Sequence, residues 1–241
     1  MPTSITILVL WSQSKVMEFR PYSFSRLSTH KQCPRKFKYS YIDKAPKSKT
    51  DITALLKGGA IHSIIEHYPN KTTHKLAPKY QHIVDKFIKT KLGEKYLTVD
   101  SVREFDFGLT ENLEPTSYSD KTALFRGSVD FICTIDNVLH LCDWKSGKYK
   151  DPKWQEYDQL VFYGIYFFQR YPKIDTIKIS YVYVEHEDME NDLVLERKYL
   201  DTYISQLAEL ITNVETDVIW IKNQDKLCNY CEYKEHCDGD C

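Results

Sequence analysis

Asp130, in FRGSVDF, and the pair Asp143 and Lys145, in VLHLCDWKSGK, are the residues of this chain best suited by type and spacing to do chemistry. Val138, Leu139 and Leu141 read as a strand. Asp143 and Lys145, two positions apart, leave one face of it, and Trp144 leaves the other. Taken alone this would be a strand end with a surface ion pair worth little. An Asp136-Asn137 turn, however, joins this strand to the one carrying Asp130, and a hairpin sets the two carboxylates on neighbouring strands. There they could share a hard divalent cation, Mg²⁺ or Mn²⁺. Lys145 could stabilise phosphoryl charge or orient an attacking water, and metal-bound water is hydroxide-like near neutral pH. The chemistry implied is hydrolysis of phosphodiesters.

The elements that must position these residues run from helix to sheet. Ser23 reads as the cap of a helix over SFSRLSTHKQ, and Pro34 opens a second helical stretch to about Ile42. Helical periodicity returns over residues 54–68, where Gly58-Gly59 marks a bend or a close approach, and over 78–92. Strands follow in VREFDFGLT, TALFRGSVDFICTI and VLHLCDW. A long, mostly buried helix is expected over 154–171, strands in TIKISYVYVEH and DLVLERKYL, and a last helix over 203–220. No internal repeat is present. The fold class is α/β or α+β with a central sheet.

At 241 residues, with 42% hydrophobic and 28% charged residues and only 8 Gly and 9 Pro, the chain is expected to bury a substantial core. One domain over 17–241 is expected, with residues 1–16 an extension or an edge strand. No apolar run approaches a bilayer span, and the opening residues lack the basic region and cleavage site of a secretory signal. A cytoplasmic protein of prokaryotic or viral origin is expected, with no membrane partner.

The net charge of −1 hides an asymmetry. Lys31, Arg35, Lys36, Lys38, Lys44, Lys47 and Lys49 surround one acid, Asp43. Lys145, Lys148, Lys150 and Lys153 form a second basic run, while residues 185–241 are acidic. Interleaved with Tyr39, Tyr41, Tyr149 and Trp154, these runs would suit a phosphate backbone and stacked bases. Arg35, Lys36, Lys38 and Lys148 are the candidate DNA contacts.

Seven cysteines, an odd count, argue against a disulfide scaffold. Cys133 and Cys142 sit in apolar strands and read as packing. The tail spacing C-x2-C-x5-C is that of metal ligands. A local zinc site could use Cys228, Cys231, Cys237 and Cys241, leaving Cys33 idle. Alternatively Cys33 could join Cys228, Cys231 and Cys237 around a [4Fe–4S] cluster that clasps the two ends of the chain. Spacing alone does not separate the two.

GSVDF followed by CDWKSGK resembles the D…(D/E)xK signature of the PD-(D/E)xK nuclease superfamily, and specifically its RecB-like branch. GGAIHSIIEH resembles that branch's helical motif, which makes His62 a metal ligand. QLVFY resembles its Gln-x-x-x-Tyr motif, at Gln159 and Tyr163, four apart and so on one helical face. SRLSTHKQCPRKF with the tail cysteines resembles the paired signature of the iron–sulfur members. The resemblance spans about residues 22–237 and favours iron–sulfur over zinc, although Cys241 is surplus to it.

The resemblance implies a central mixed sheet flanked by helices, with the chain's two ends joined by a metal cluster. It implies metal ligation by His62, Asp130, Asp143 and the Trp144 carbonyl, with Lys145, Gln159 and Tyr163 in the catalytic set. Similar iron–sulfur nucleases include CRISPR-associated adaptation nucleases and single-strand exonucleases of replication and repair. The expected activity is therefore an Mg²⁺- or Mn²⁺-dependent exonuclease on single-stranded DNA, with protein partners in those processes. The alternative is a DNA-binding or adaptor module with a vestigial site.

Overall fold

The structure, a computed structural model, describes residues 20–48 and 52–237. The expected extension over 1–16, Met17, Lys49 and Cys241 lie outside the described residues. In chain order the elements are β1 (Tyr22–Ser23), α1 (Phe24–Gln32), α2 (Pro34–Phe37), α3 (Thr53–His67), α4 (Ala77–Phe87), α5 (Lys91–Leu97), β2 (Ser101–Leu109), β3 (Pro115–Thr116), β4 (Phe125–Ile135), β5 (Val138–Lys145), α6 (Asp158–Arg170), β6 (Thr176–Tyr183), β7 (Glu190–Glu196) and α7 (Leu200–Thr216). A short, wide helical turn over Lys38–Ile42 continues α2.

The strands form one mixed seven-stranded sheet in the order β3-β2-β4-β5-β6-β7, with β1 added parallel to β4. β2, β4 and β5 are antiparallel neighbours, β5 and β6 are parallel, and β6 and β7 are antiparallel. The parallel β5–β6 pair requires a crossover, which α6 supplies. Asp136 and Asn137 both have positive φ, 51° and 62°, as a two-residue hairpin between β4 and β5 requires.

Two cores cover the two sheet faces. On one, Leu160, Phe162 and Phe168 of α6 and Leu207 and Ile211 of α7 pack on Phe107, Val129 and Leu141. On the other, Ile61 and Ile65 of α3, Val84 and Phe87 of α4 and Tyr96 of α5 pack on Phe131, Cys142 and Trp144. Trp144 meets Phe87, Tyr96 and Phe131 edge-on, so its burial fixes the face of β5 from which Asp143 and Lys145 leave. Cys133 and Cys142 are packed in the same core, as expected.

Several helix bounds differ from the sequence expectation. α3 runs unbroken through Gly58-Gly59. Of the two expectations there, the close approach holds: a methyl group on Gly58 would come 3.2 Å from Ser146 Oγ, in the turn that follows Lys145. The stretch 78–92 divides in two because Thr90 caps α5, its Oγ1 accepting the Gly93 N–H at 3.1 Å. Residues 152–154 form a separate turn capped by Asp151. The last helix stops at Thr216 because Asp217 turns the chain and accepts the N–H groups of Ile219 and Trp220. Among the described residues no helix is long and apolar enough to cross a membrane.

Candidate active site

The sheet breaks its alternation at one place. Arg103 pairs with Phe131 and Phe105 with Val129, so Glu104 of β2 stands opposite Asp130 of β4. Residues two apart on a regular strand share a face, yet Val129 belongs to the α6-side core and Phe131 to the α3-side core. β4 therefore turns over at Asp130. On β2 the same position is held by Glu104 at φ 49°, a left-handed conformation that costs a non-glycine residue about 1–3 kcal/mol. The two carboxylates thus emerge at the seam between the cores.

α3 brings His62 to that seam. Its carboxyl end is anchored by the Arg103 guanidinium, which donates to the carbonyls of Ile65 at 2.9 Å, Glu66 at 3.1 Å and also Tyr68. His62 Nε2–H donates to the Trp144 carbonyl at 2.7 Å, and Nδ1 lies 3.4 Å from Asp130 Oδ2. The Trp144 N–H donates to that same carboxylate at 2.8 Å. Among the described residues His62, Glu104 and Asp130 form a set whose ligand atoms all lie within 4.8 Å of one another.

The electrostatics of this set call for a cation. Burial lowers the His62 pKa and keeps the imidazole neutral, which is the metal-binding form. With Nε2 committed as donor, its Nδ1 lone pair faces a carboxylate, and two acceptors at 3.4 Å need a proton or a metal ion between them. Asp130 is pushed up to about 8 by burial first and then by Asp143 and Glu104, against the Trp144 hydrogen bond. Glu104 rises to about 6 through partial burial and its neighbours Glu66, Asp106 and Asp143. One imidazole nitrogen and carboxylate oxygens suit Mg²⁺ or Mn²⁺.

Asp143 and Lys145 leave one face of β5 as expected, on the α6 side. The Lys145 ammonium pairs with the buried Asp143 Oδ2 at 2.6 Å. The ammonium is held in place over the Tyr181 ring, 4.5 Å from its centroid. Asp143 thus borders the three-residue set without being one of it, and Glu104 is the member that the sequence did not disclose. The Trp144 carbonyl, expected as a ligand, carries the His62 N–H.

Gln159 and Tyr163 sit on the first turns of α6, with Gln159 Nε2 donating to the Tyr163 hydroxyl at 3.3 Å. Burial pushes the phenol up to about 12. Gly127 makes room for it, since a methyl group there would lie 2.7 Å from the Tyr163 ring.

A second cluster joins the two ends of the described chain. Cys33, Cys228, Cys231 and Cys237 line one cavity together with Arg35, Lys36 and Tyr39, and all four are free thiols. The Asn223 N–H points at Cys33 Sγ at 3.5 Å, and Cys228 Sγ points at the Asn223 carbonyl at 3.8 Å. Tyr39 bonds the His236 carbonyl at 2.7 Å, and Ser48 N–H bonds Glu232 at 2.8 Å. The basic run reads differently in space than in sequence. Arg35 Nε donates to the Trp220 carbonyl at 2.8 Å, Lys38 pairs with Asp43 at 2.6 Å, and Lys36 lines the cysteine cavity. Lys148 is exposed just beyond the end of β5.

No curated protein matches the sequence significantly. A solved structure of a candidate exonuclease from Eubacterium rectale aligns over 94% of this chain and 94% of its own, with TM-score 0.54 and 15% identity. The structure of SSO0001 aligns over 93% and 89%, with TM-score 0.45 and 15% identity. The first of these similarities speaks to the fold alone. The family model of the PD-(D/E)XK nuclease superfamily matches residues 21–238, nearly the whole chain, and the chain belongs to that superfamily.

Proposed function

We propose that the protein is a metal-dependent deoxyribonuclease acting as an exonuclease on single-stranded DNA, with residues 17–241 working as one nuclease domain. The observation that carries this reading is the convergence of His62, Glu104 and Asp130 beside the Asp143–Lys145 pair. Mg²⁺ or Mn²⁺ bound there would acidify a water and neutralise charge on the phosphate. His62 and the carboxylates hold that site, with the Trp144 N–H and carbonyl fixing Asp130 and the imidazole. Lys145, aligned by Asp143 and Tyr181, faces the phosphate charge or orients the attacking water. Gln159 and Tyr163 border the strand's path. The test is end-labelled single- and double-stranded DNA incubated with Mg²⁺, Mn²⁺ or EDTA. Shortening from an end in either metal supports the reading, and binding without cleavage supports the vestigial module instead.

We further propose that Cys33, Cys228, Cys231 and Cys237 hold a [4Fe–4S] cluster of the kind found in the iron–sulfur members of the RecB-like branch. What supports this is that Cys33 lines the same cavity as the three tail thiols. Anaerobically purified protein should be brown, with absorbance near about 400 nm. Colourless protein with stoichiometric zinc would overturn the cluster.

A further inference from the structure

Beside Gln159 and Tyr163 runs a groove of about 510 Å³, lined also by Ser25 and Ser28 of α1, Tyr118 and Arg126. Its volume is that of a small-ligand site. Among the described residues no carboxylate lines it, and the charged side chain there is Arg126. One Arg126 Nη donates to the Asp120 carbonyl at 2.8 Å, and the guanidinium stands 5.3 Å from the centroid of the Tyr118 ring. Among the described residues the buried Arg126 Nε has no hydrogen-bond partner, a donor left for something the groove takes in. Tyr118 is 45% exposed, an aromatic face open to solvent.

Position on the strand says which part of a substrate this would be. Arg126 precedes Asp130 by four residues on β4, about 13 Å along a strand. That is too far for the phosphate being cut and suits a flanking one. We propose that this groove is a subsite for the nucleotide flanking the scissile phosphate, in which Arg126 contacts the neighbouring phosphate and Tyr118 stacks on an unpaired base. The Ser25 and Ser28 hydroxyls supply further hydrogen-bonding groups to the backbone. A paired and stacked base offers no free face to Tyr118, so the subsite selects single strands. This inference rests on the nuclease reading and extends it to strand selection.

The test is the affinity of a short fluorescein-labelled single strand in EDTA, across a salt series, for the wild type and for Tyr118→Ala, Tyr118→Phe, Arg126→Ala and Arg126→Lys, with wild-type cleavage measured separately in Mg²⁺ and Mn²⁺. Tyr118→Ala should weaken binding about tenfold, the scale of one lost stacking contact. Tyr118→Phe should keep it, and an abasic strand should abolish the difference. Arg126→Ala should reduce the salt slope by about 0.7, the value for one phosphate of a single strand, with Arg126→Lys restoring it. If the wild type cuts DNA while Tyr118→Ala and Arg126→Ala bind it as the wild type does, the subsite is overturned and the nuclease reading stands. A loss confined to Arg126→Ala overturns the selection of single strands. A wild type that cuts nothing in either metal overturns the nuclease reading and this inference with it.

Discussion

Replacing Asp130 by Asn should stabilise the metal-free protein and remove its response to metal. Glu104 and Asp130 place ligand oxygens within 4.8 Å of each other. Two full charges at that distance repel by about 3.5 kcal/mol at an effective dielectric of about 20. Asp130, raised to about 8 by burial and by its acidic neighbours, avoids part of this by holding a proton. With its oxygen in the place of Oδ2 the amide keeps the bond from the Trp144 N–H and carries no charge, so little is lost in exchange. The expected gain in EDTA near pH 8 is about 1–3 kcal/mol, or about 2–12 °C in melting temperature for a domain of this size. The sign of the pH dependence follows from the raised pKa. Wild type and variant should converge below about pH 4, where the carboxyl group is protonated folded or unfolded, and separate as the pH rises towards 8. Saturating Mn²⁺ should invert the order. At a hundred times its dissociation constant, it stabilises the wild type by about 2.7 kcal/mol and the variant far less. Thermal melts followed by circular dichroism, with EDTA or Mn²⁺, read all three outcomes. An Asp130→Asn protein that melts below the wild type in EDTA would show that the site is not built to hold a cation.

Three further outcomes are expected. Asp143→Asn and Lys145→Ala should each lower DNA cleavage by more than about a hundredfold while leaving binding in EDTA within a few-fold of wild type; residual wild-type turnover in a clean preparation of either would remove that residue from the chemistry. Cys33→Ser should bleach the absorbance near about 400 nm and lower both solubility and melting temperature, because the cluster would tie together ligands at opposite ends of the chain; a protein indifferent to the change would favour zinc on the tail alone. Glu190 carries a different titration. Burial alone would raise its pKa, but hydrogen bonds from Tyr96, Ser180 and Lys95 outweigh burial and leave it lowered. Its contribution is therefore present above the ordinary carboxylate range and lost as the pH falls through the depressed value, so Glu190→Gln should cost about 1–3 kcal/mol at pH 7 and flatten the acid limb of the stability curve.

Sequence reasoning reached Asp130, Asp143 and Lys145 because their relation is local. A two-residue turn at Asp136-Asn137 and the period-two alternation of β5 fix neighbouring strands and a shared face. Glu104 stayed hidden for two reasons. Its partner strand follows only after β3 and the loops around it, so the β2–β4 register is not a local property, and its site-facing position depends on a left-handed φ that an ordinary strand pattern does not announce. The two-residue strands β1 and β3 are too short for any periodicity. Helix ends moved wherever one side chain recaptured the backbone, as Thr90 does before α5 and Asp217 after α7. The basic run at 31–50 shows the limit of charge read from sequence: charge is visible there, but not the Asp43 carboxylate and Trp220 carbonyl that engage Lys38 and Arg35.

The proposed hold of His62, Glu104 and Asp130 on the divalent cation of DNA cleavage underlies the nuclease reading. It is tested most directly by titrating Mn²⁺ into the protein with a labelled single strand, measuring bound Mn²⁺ by electron paramagnetic resonance and cleavage on the same samples. Occupancy and cleavage should rise together, both should vanish in EDTA, and Glu104→Gln should shift both to higher Mn²⁺. Cleavage that persists in EDTA, or Mn²⁺ that binds without any cut strand, would contradict it.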